Sequence, residues 1–332
     1  MVLKLLNTKN RFHPYALELA SFCYDGNMPL QLVEFRTNDG LPLPGLLFEP
    51  ETATKKVALY LHGNGSSSVF YSVEETNTMA KQLNKAGIAY FPFNNRGAHL
   101  IHKLDRLTQD GVEREPYGMI YELIHDCVQD IDGAVKYLKG LGYTTFYLIG
   151  SSTGANKICV YNHYEPRNVF SKYVMLSGGD DSGIYYEEFG KERFMKIIET
   201  AKKEVAKGNG RTLVSSKLLG NDEVWFSHQS ILDIINPDGD YNTFPFNDFM
   251  NKLGLSSKPL FKYYSEITKP FLVLYGSEDE YCYGDTKRVL AILKDHKNSK
   301  AKAEFEIIQD ADHGFTGSEQ ELANIVTSYL AQ

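Results

Sequence analysis

Cysteine is scarce in this 332-residue chain. Its four residues, Cys23, Cys127, Cys159 and Cys282, are too scattered for a disulfide framework or for a zinc site built on C-x-x-C spacing. A reducing compartment is therefore expected. Long apolar runs are missing too: none approaches the roughly 20 residues that span a bilayer, so no membrane partner is expected. The first ten residues offer only the Val2-Leu3-Lys4-Leu5-Leu6 patch, without the apolar core and small-residue cleavage site of a secretory signal. The expected location is cytoplasmic. There is no basic tract, and a net charge of -7 disfavours non-specific binding to nucleic acid. The chain has no internal repeat, no low-complexity segment and no linker, which argues against a solenoid or a string of independent domains.

What is present is the composition of a soluble globular protein, 42% hydrophobic and 23% charged. The length suits one large α/β domain with an insertion, or two ordinary domains. Gln31 to Arg36 and Leu43 to Phe48 flank the turn residues Asn38-Asp39-Gly40 and predict a leading antiparallel hairpin. Four short runs rich in β-branched and aromatic residues follow: Val57 to Leu61, Ile88 to Phe93, Phe146 to Ile149 and Tyr173 to Leu176. Such runs predict strands buried on both faces of a parallel sheet. Helical patterns alternate with them, at Val73 to Ala86 and along Cys127, Ile131, Val135 and Leu138. This alternation predicts a doubly wound, mostly parallel α/β sheet.

The alternation stops after Leu176 and resumes at Phe271 to Tyr275. The gap of about 90 residues is far longer than a connecting loop. Phe194, Ile197, Ile198, Ala201 and Val205 form a helical apolar stripe within it, ending at Gly208-Asn209-Gly210, and Ser230 to Ile235 predicts a second, short helix. Residues 180–268 are therefore read as a largely helical cap inserted after the sixth strand of a single domain, 1–332. The core pattern then returns with a helix at Lys287 to Leu293, a strand at Ala303 to Ile308 and a last helix holding Leu322, Ile325, Val326 and Leu330.

Gly150-Ser151-Ser152-Thr153-Gly154 follows the Phe146 to Ile149 run directly. A serine between two glycines at a strand-to-helix turn is a nucleophile elbow, and Ser152, not Ser151, takes the central position. The pentapeptide alone is a weak signal, so its surroundings must support it. A serine hydroxyl needs a base and a carboxylate to orient that base, at the ends of later strands. Glu278, Asp279 and Glu280 follow the penultimate strand. Asp310, Asp312 and His313 follow the last. Strand order and the adjacent Gly314 select His313 from the nine histidines.

With these motifs the chain resembles the α/β-hydrolase superfamily, in its serine esterase, lipase and aminopeptidase-like branches, over roughly residues 30 to 330. The resemblance implies that the Gly276-x-x-Asp279 turn supplies the acid and His313-Gly314-Phe315 the base. Leu61-His62-Gly63-Asn64-Gly65-Ser66-Ser67 resembles the family's oxyanion loop, which implies that the backbone N–H groups of Asn64 and Thr153 face the oxyanion, with His62 organising the loop. Asn94-Asn95-Arg96-Gly97 is similar to the family's Asp-x-Arg-Gly turn, with Asn94 where an acid is usual, and is read as structural. Ser177 to Gly183 and the long cap also resemble a branch that includes fungal siderophore esterases; no substrate is assigned from it.

The expected function is cleavage of a small or medium-sized carboxylic ester through an acyl-enzyme, with Ser152 as nucleophile, His313 as base and Asp279 as its orienting acid. No cofactor is called for. An amide or peptide hydrolase of the same fold, or a non-catalytic receptor retaining the pocket, stand as alternatives. Oligomeric state stays open. Asp180 and Asp181 lack the companions of a metal site and are read as a loop or hinge. Lys202, Lys203 and Lys207 are read as a solvated helix face. The aromatic residues Tyr185, Tyr186, Phe189, Trp225, Phe226, Tyr241, Phe244, Phe246, Phe249, Tyr263 and Tyr264 fit either an apolar pocket for an acyl or aryl group or the cap's own core.

Overall fold

The computed structural model describes residues 29–65, 67–220 and 225–332; the Val2 to Leu6 patch, Cys23 and Ser66 lie outside them. The first described elements are the expected hairpin strands, β1 (Leu30–Arg36) and β2 (Pro42–Phe48), paired antiparallel. Next come β3 (Lys56–Leu61), helix α1 (Val73–Lys85) and β4 (Ala89–Phe93). Strands β5 (His102–Thr108) and β6 (Gly111–Tyr117) form a separate two-stranded ribbon. Helix α2 (Cys127–Gly140), β7 (Thr145–Ser151), α3 (Thr153–Tyr164) and β8 (Phe170–Leu176) complete the first part of the core.

After the insertion come β9 (Phe271–Gly276), α10 (Thr286–His296), β10 (Ala303–Ile308) and α11 (Glu319–Ala331). The insertion holds α4 (Asp181–Phe189), α5 (Lys191–Ala206), α6 (Ser216–Leu219), α7 (His228–Ile235), α8 (Phe246–Asn251) and α9 (Lys262–Ser265).

Eight strands form one sheet in the order β1-β2-β4-β3-β7-β8-β9-β10. Only β1 with β2 and β2 with β4 run antiparallel. The remaining pairs are parallel. Side chains alternate across the pleat, so each strand feeds two cores. Val57, Leu59, Phe146 and Leu148 pack with Ile131 and Leu138 of α2, Ile158 of α3 and Leu293 of α10. Ala58, Tyr60, Tyr147 and Ile149 pack on the opposite face with Met79 and Leu83 of α1 and Leu322 and Val326 of α11. A strand buried from both sides must be apolar at every position, which is why these strands read as unbroken apolar runs.

The chain moves outward from β3 to β4, then returns to lay β7 on the other side of β3. At such a switch point two loops leave neighbouring carboxyl ends in opposite directions and open a crevice. The loops that leave here are those after Leu61 and after Ser151, which are register neighbours in the sheet through Leu61–Gly150.

The β5–β6 ribbon escapes a search for apolar runs. Its strand β5 alternates half-buried and exposed residues, β6 is exposed over most of its length, and the signal that marks the hairpin is the Gln109-Asp110 turn followed by Gly111 at φ 131°. Within the insertion, Phe194, Ile197, Ile198 and Ala201 of α5 are buried as the stripe predicts, while Val205 is 37% exposed. Helix α7 starts at His228, two residues before the expected Ser230, because the Ser227 and Ser230 side chains form a reciprocal capping box. The insertion's apolar residues join the same core as α2 and α3.

Arg96, after β4, ties three parts of the chain together. Its guanidinium reaches Asp130 of α2 at 2.7 Å, Asp39 of the first hairpin turn at 2.9 Å and Asp126 at 3.3 Å, and it is nearly fully buried. The structural reading of this turn agrees with that arrangement. Asp130 is wholly buried, so Arg96→Met leaves an uncompensated carboxylate and should destabilise the fold by about 3–5 kcal/mol, read as a lowered urea midpoint.

Candidate active site

Ser152 leaves the ladder where Ser151, the last residue of β7, still pairs with Leu176. Its backbone sits at φ 53°, ψ −125°, a region that costs a non-glycine residue about 1–3 kcal/mol. Its N–H bonds to the Leu176 carbonyl at 2.8 Å and its carbonyl accepts from Ala155 N–H at 2.8 Å, so the strained turn is held on both sides. The flanking glycines are required by space. A Cβ on Gly150 would lie 2.2 Å from the Gly154 carbonyl oxygen, and one on Gly154 would lie 2.2 Å from that of Leu61. Gly63 of the neighbouring loop passes Ser152 closely as well, at 2.9 Å from a built Cβ to the serine Cβ.

Facing the turn, His313 Nε2 is 3.0 Å from Ser152 Oγ. Its Nδ1 is 3.0 and 3.1 Å from the two carboxylate oxygens of Asp279. Asp279 is 3% exposed and also accepts from Tyr281 N–H at 3.0 Å. The turns that carry acid and histidine are pressed together: a Cβ on Gly276 would sit 2.2 Å from the Ala311 carbonyl oxygen. Ser277 N–H bonds to Ile308 O and Glu278 N–H to Ala311 O, each at 2.9 Å. Glycine at the first place of Gly-x-x-Asp thus permits the contact that sets Asp279 against His313.

The other nearby carboxylates have different work. Glu280 accepts the His313 backbone N–H at 3.1 Å. Asp312 accepts from Thr316 N–H at 2.8 Å, and Glu278 from the Ser277 hydroxyl at 3.2 Å. Asp310 turns the chain at φ 58°. Tyr281 sets its ring edge against His313, with centroids 4.7 Å apart. Burial alone would lower the His313 pKa. The Asp279 hydrogen bond and charge, with Glu280 and Asp181, outweigh it and hold the imidazole above its ordinary value. Asp181 itself is pushed up to about 7 by burial and by the charge of Asp180.

On the other side of Ser152 runs the loop after β3. His62 donates from Nδ1 to the Gly63 carbonyl at 2.7 Å and accepts Asn95 N–H at Nε2, 3.2 Å away, which fits one neutral tautomer. Burial, with the positive charge of Lys157, lowers its pKa to about 3. Lys157 is fully buried in α3 and donates to Glu122 Oε1 at 2.5 Å, a pair the sequence reading did not single out. Asn94 uses Oδ1 to accept from Val69 N–H at 2.9 Å and the Ser68 hydroxyl at 3.1 Å. An amide oxygen does there what a carboxylate would, and the loop is tied to β4.

Asn64 lies on this loop and Thr153 is the first residue of α3, where a backbone N–H has no intrahelical acceptor. The helix also directs the positive end of its dipole to the Ser152 turn. Asp180 caps α4, accepting from Gly183 N–H at 2.9 Å, Asn247 N–H at 2.7 Å and the Tyr283 hydroxyl at 3.0 Å. Burial raises its pKa to about 6. Lys202, Lys203 and Lys207 are exposed on α5 and just after it, Lys207 reaching Glu204 at 2.7 Å.

Similar folds recur among solved structures. Est1E of Butyrivibrio proteoclasticus, solved with ferulic acid bound, matches with a TM-score of 0.60 at 14% identity, over 90% of this chain and 98% of its own. A soluble variant of the Saccharomyces cerevisiae monoglyceride lipase matches at 0.58 and 14%, over 92% and 97%. The Pyrococcus furiosus esterase Pf2001 matches at 0.55 and 15%, over 98% and 97%. Among curated proteins none matches in sequence. The fold is that of the α/β-hydrolases. Residues 117–331 match the family described as "Protein of unknown function (DUF1749)", and the chain belongs to that family.

His62 is held neutral in the fold, so the unfolded chain binds one more proton there as pH falls below about 6.5. Stability should therefore drop between pH 7 and 5 by more in the native protein than in His62→Gln, compared through urea midpoints at both pH values. Gly154→Val should prevent folding altogether, because its side chain would have to occupy the Leu61 carbonyl; soluble expression and circular dichroism check this.

Proposed function

We propose that the protein is a serine hydrolase acting on carboxylic esters of small or medium size. The observation that carries this reading is the unbroken hydrogen-bond chain from Ser152 Oγ through His313 to Asp279, at 3.0, 3.0 and 3.1 Å, on a strained turn at a helix N-terminus. In this reading His313 Nε2 takes the Ser152 hydroxyl proton as Oγ attacks the ester carbonyl carbon. The carbonyl π electrons move to oxygen, and that oxyanion is met by the N–H groups of Asn64 and Thr153. Collapse breaks the C–O bond to the alcohol, which leaves with the proton from His313. Water then repeats the sequence on the acyl-enzyme and releases the acid and free Ser152. Asp279 orients the imidazole and fixes its tautomer throughout.

Residues 180–268 serve in this proposal as a cap that shapes the acyl or alcohol pocket. Its aromatics differ in exposure. Phe226, Phe244, Phe246 and Tyr264 are buried in the core that the insertion shares with α2 and α3, whereas Tyr185, Tyr186 and Tyr263 are half-buried and Trp225 and Phe249 are 50% and 40% exposed. That Est1E binds ferulic acid and that another neighbour is a monoglyceride lipase supports esters of aromatic or acyl groups as the first substrates to try. Unpaired, buried Cys127, Cys159 and Cys282 suit a reducing cytoplasm. Among the described residues no helix is long and apolar enough to cross a membrane.

A fluorophosphonate probe should label the native protein and not Ser152→Ala, and that substitution should lower p-nitrophenyl ester turnover by a thousandfold or more. An unlabelled, well-folded native protein ends the reading. Matched anilides should turn over more slowly than the esters. Because only neutral His313 can accept a proton and its pKa is raised, kcat/KM should fall on acidification through a midpoint above about 6.5. Asp279→Asn should move that midpoint down while slowing the reaction, as a pH–rate profile would record.

A further inference from the structure

One side chain of the insertion touches both loops that border the Ser152 turn. The hydroxyl of Tyr241, on the connection between α7 and α8, accepts from Asn64 Nδ2 at 3.0 Å and donates to Thr153 Oγ1 at 3.0 Å. Asn64 comes from the loop after β3 and Thr153 from the start of α3, so the phenol bridges the side chains of these two elements. The ring is 2% exposed. Burial pushes its pKa well above the ordinary phenol value, which keeps the proton available for donation to Thr153.

The other end of Tyr241 is fixed as well. Its carbonyl accepts Thr243 N–H at 2.8 Å and Asn156 Nδ2 at 3.3 Å. Asn156 lies in the first turn of α3, and its amide also accepts Gly179 N–H at 3.2 Å and donates to Gly179 O at 2.8 Å, where the chain leaves β8 for the insertion. Asn64 is held at its carbonyl by the Ser67 hydroxyl at 2.5 Å. Its Oδ1 is buried without a partner among the described residues, and the bond to Tyr241 is what anchors the amide. A buried tyrosine placed for packing alone needs one partner for its hydroxyl. This one sits between the side chains of the two residues whose backbone N–H groups are assigned to the oxyanion.

We propose that Tyr241 is a positioning residue for the oxyanion site, setting the separation of the Asn64 and Thr153 N–H groups by bridging their side chains. This rests on the serine-hydrolase reading above. Oxyanion donors act over a narrow range, 2.7–3.1 Å from where the charge develops, so a loop freed to shift by a few tenths of an ångström loses transition-state stabilisation while substrate binding is unchanged. The seating of the insertion and the strength of the oxyanion site become one property, since Tyr241 belongs to the first and governs the second.

The test uses the full chain with p-nitrophenyl esters, a trifluoromethyl ketone that forms a hemiketal with serine, and the product carboxylic acid. Tyr241→Phe keeps the ring and removes the bridge; Thr153→Val removes the bridge from the other side and keeps the backbone N–H. Each should lower kcat roughly ten- to a hundredfold with KM within about twofold. The ketone should weaken by a similar factor, because it presents an oxyanion, and the product acid should bind as before. The double variant should be no slower than the worse single one, as expected when both remove the same bridge.

A folded Tyr241→Phe with native kcat overturns the proposal. So does equal weakening of ketone and product acid, which would mean a pocket wall, and so does multiplication of the two single effects. Should Tyr241→Phe not fold, Thr153→Val carries the same comparison. Failure of the underlying reading looks different: the native protein would then turn over no ester, or Ser152→Ala would be as active, before any Tyr241 variant is measured.

Discussion

The backbone of Ser152 is the constraint around which the rest is arranged. A serine at φ 53° is stable only where its surroundings over-determine it, and here each surrounding piece is a close approach. β7 and α3 meet at Gly150 and Gly154, α3 meets the end of β3 at Gly154, and the following loop passes at Gly63. These contacts place the hydroxyl at the carboxyl ends of the two central strands, between loops that diverge. The same crowding brings the N-terminus of α3 to the serine, so strain, dipole and exposure of the hydroxyl arise from one turn.

Buried polar groups hold the loops that this turn needs. His62 is kept neutral and bridges Gly63 to Asn95, which stitches the loop after β3 to the loop after β4. Arg96 stitches the latter to α2 and to the first hairpin. Lys157 and Glu122 pair across α3 and the segment before α2, and the charge of Lys157 helps keep His62 unprotonated. Each of these groups would be costly if left unpaired, so none can move alone. The loops around Ser152 consequently have rigid supports although they are loops. The insertion adds a further support where Asp180 accepts from the Tyr283 hydroxyl, and where Tyr241 accepts from Asn156 at its carbonyl and donates from its hydroxyl to Thr153, bonds that cross between the insertion and the core.

Local patterns made the sheet legible. The central strands are apolar at every position because both faces are covered, and helices such as α2 carry a periodic stripe; both depend on neighbours in sequence. The motif-bearing turns were legible for the same reason, since Gly276 and the Gly150–Gly154 pair mark places where backbone meets backbone. The β5–β6 ribbon was not, because its alternation is weak and its residues largely polar. Helix α4 was masked by a Gly- and Asp-rich approach that reads as loop, and Asp180 turns out to be its cap. The competing carboxylates around Asp279 could be ranked only by the turn's resemblance to a family, because all of them lie within a few residues of two strand ends.

Sequence alone determined the fold class, the order of Ser152, Asp279 and His313 along the chain, and the strands whose ends carry them. These follow from periodicity and from glycines at tight turns, which are short-range properties. The tertiary structure decided that His313 Nε2 reaches Ser152 Oγ and that Nδ1 reaches Asp279. It also gave Glu280 to a backbone N–H and left Tyr241 between Asn64 and Thr153. Those outcomes depend on distances between segments far apart in the chain, set by how the sheet twists and how the insertion seats. A pattern along the chain carries no record of such distances.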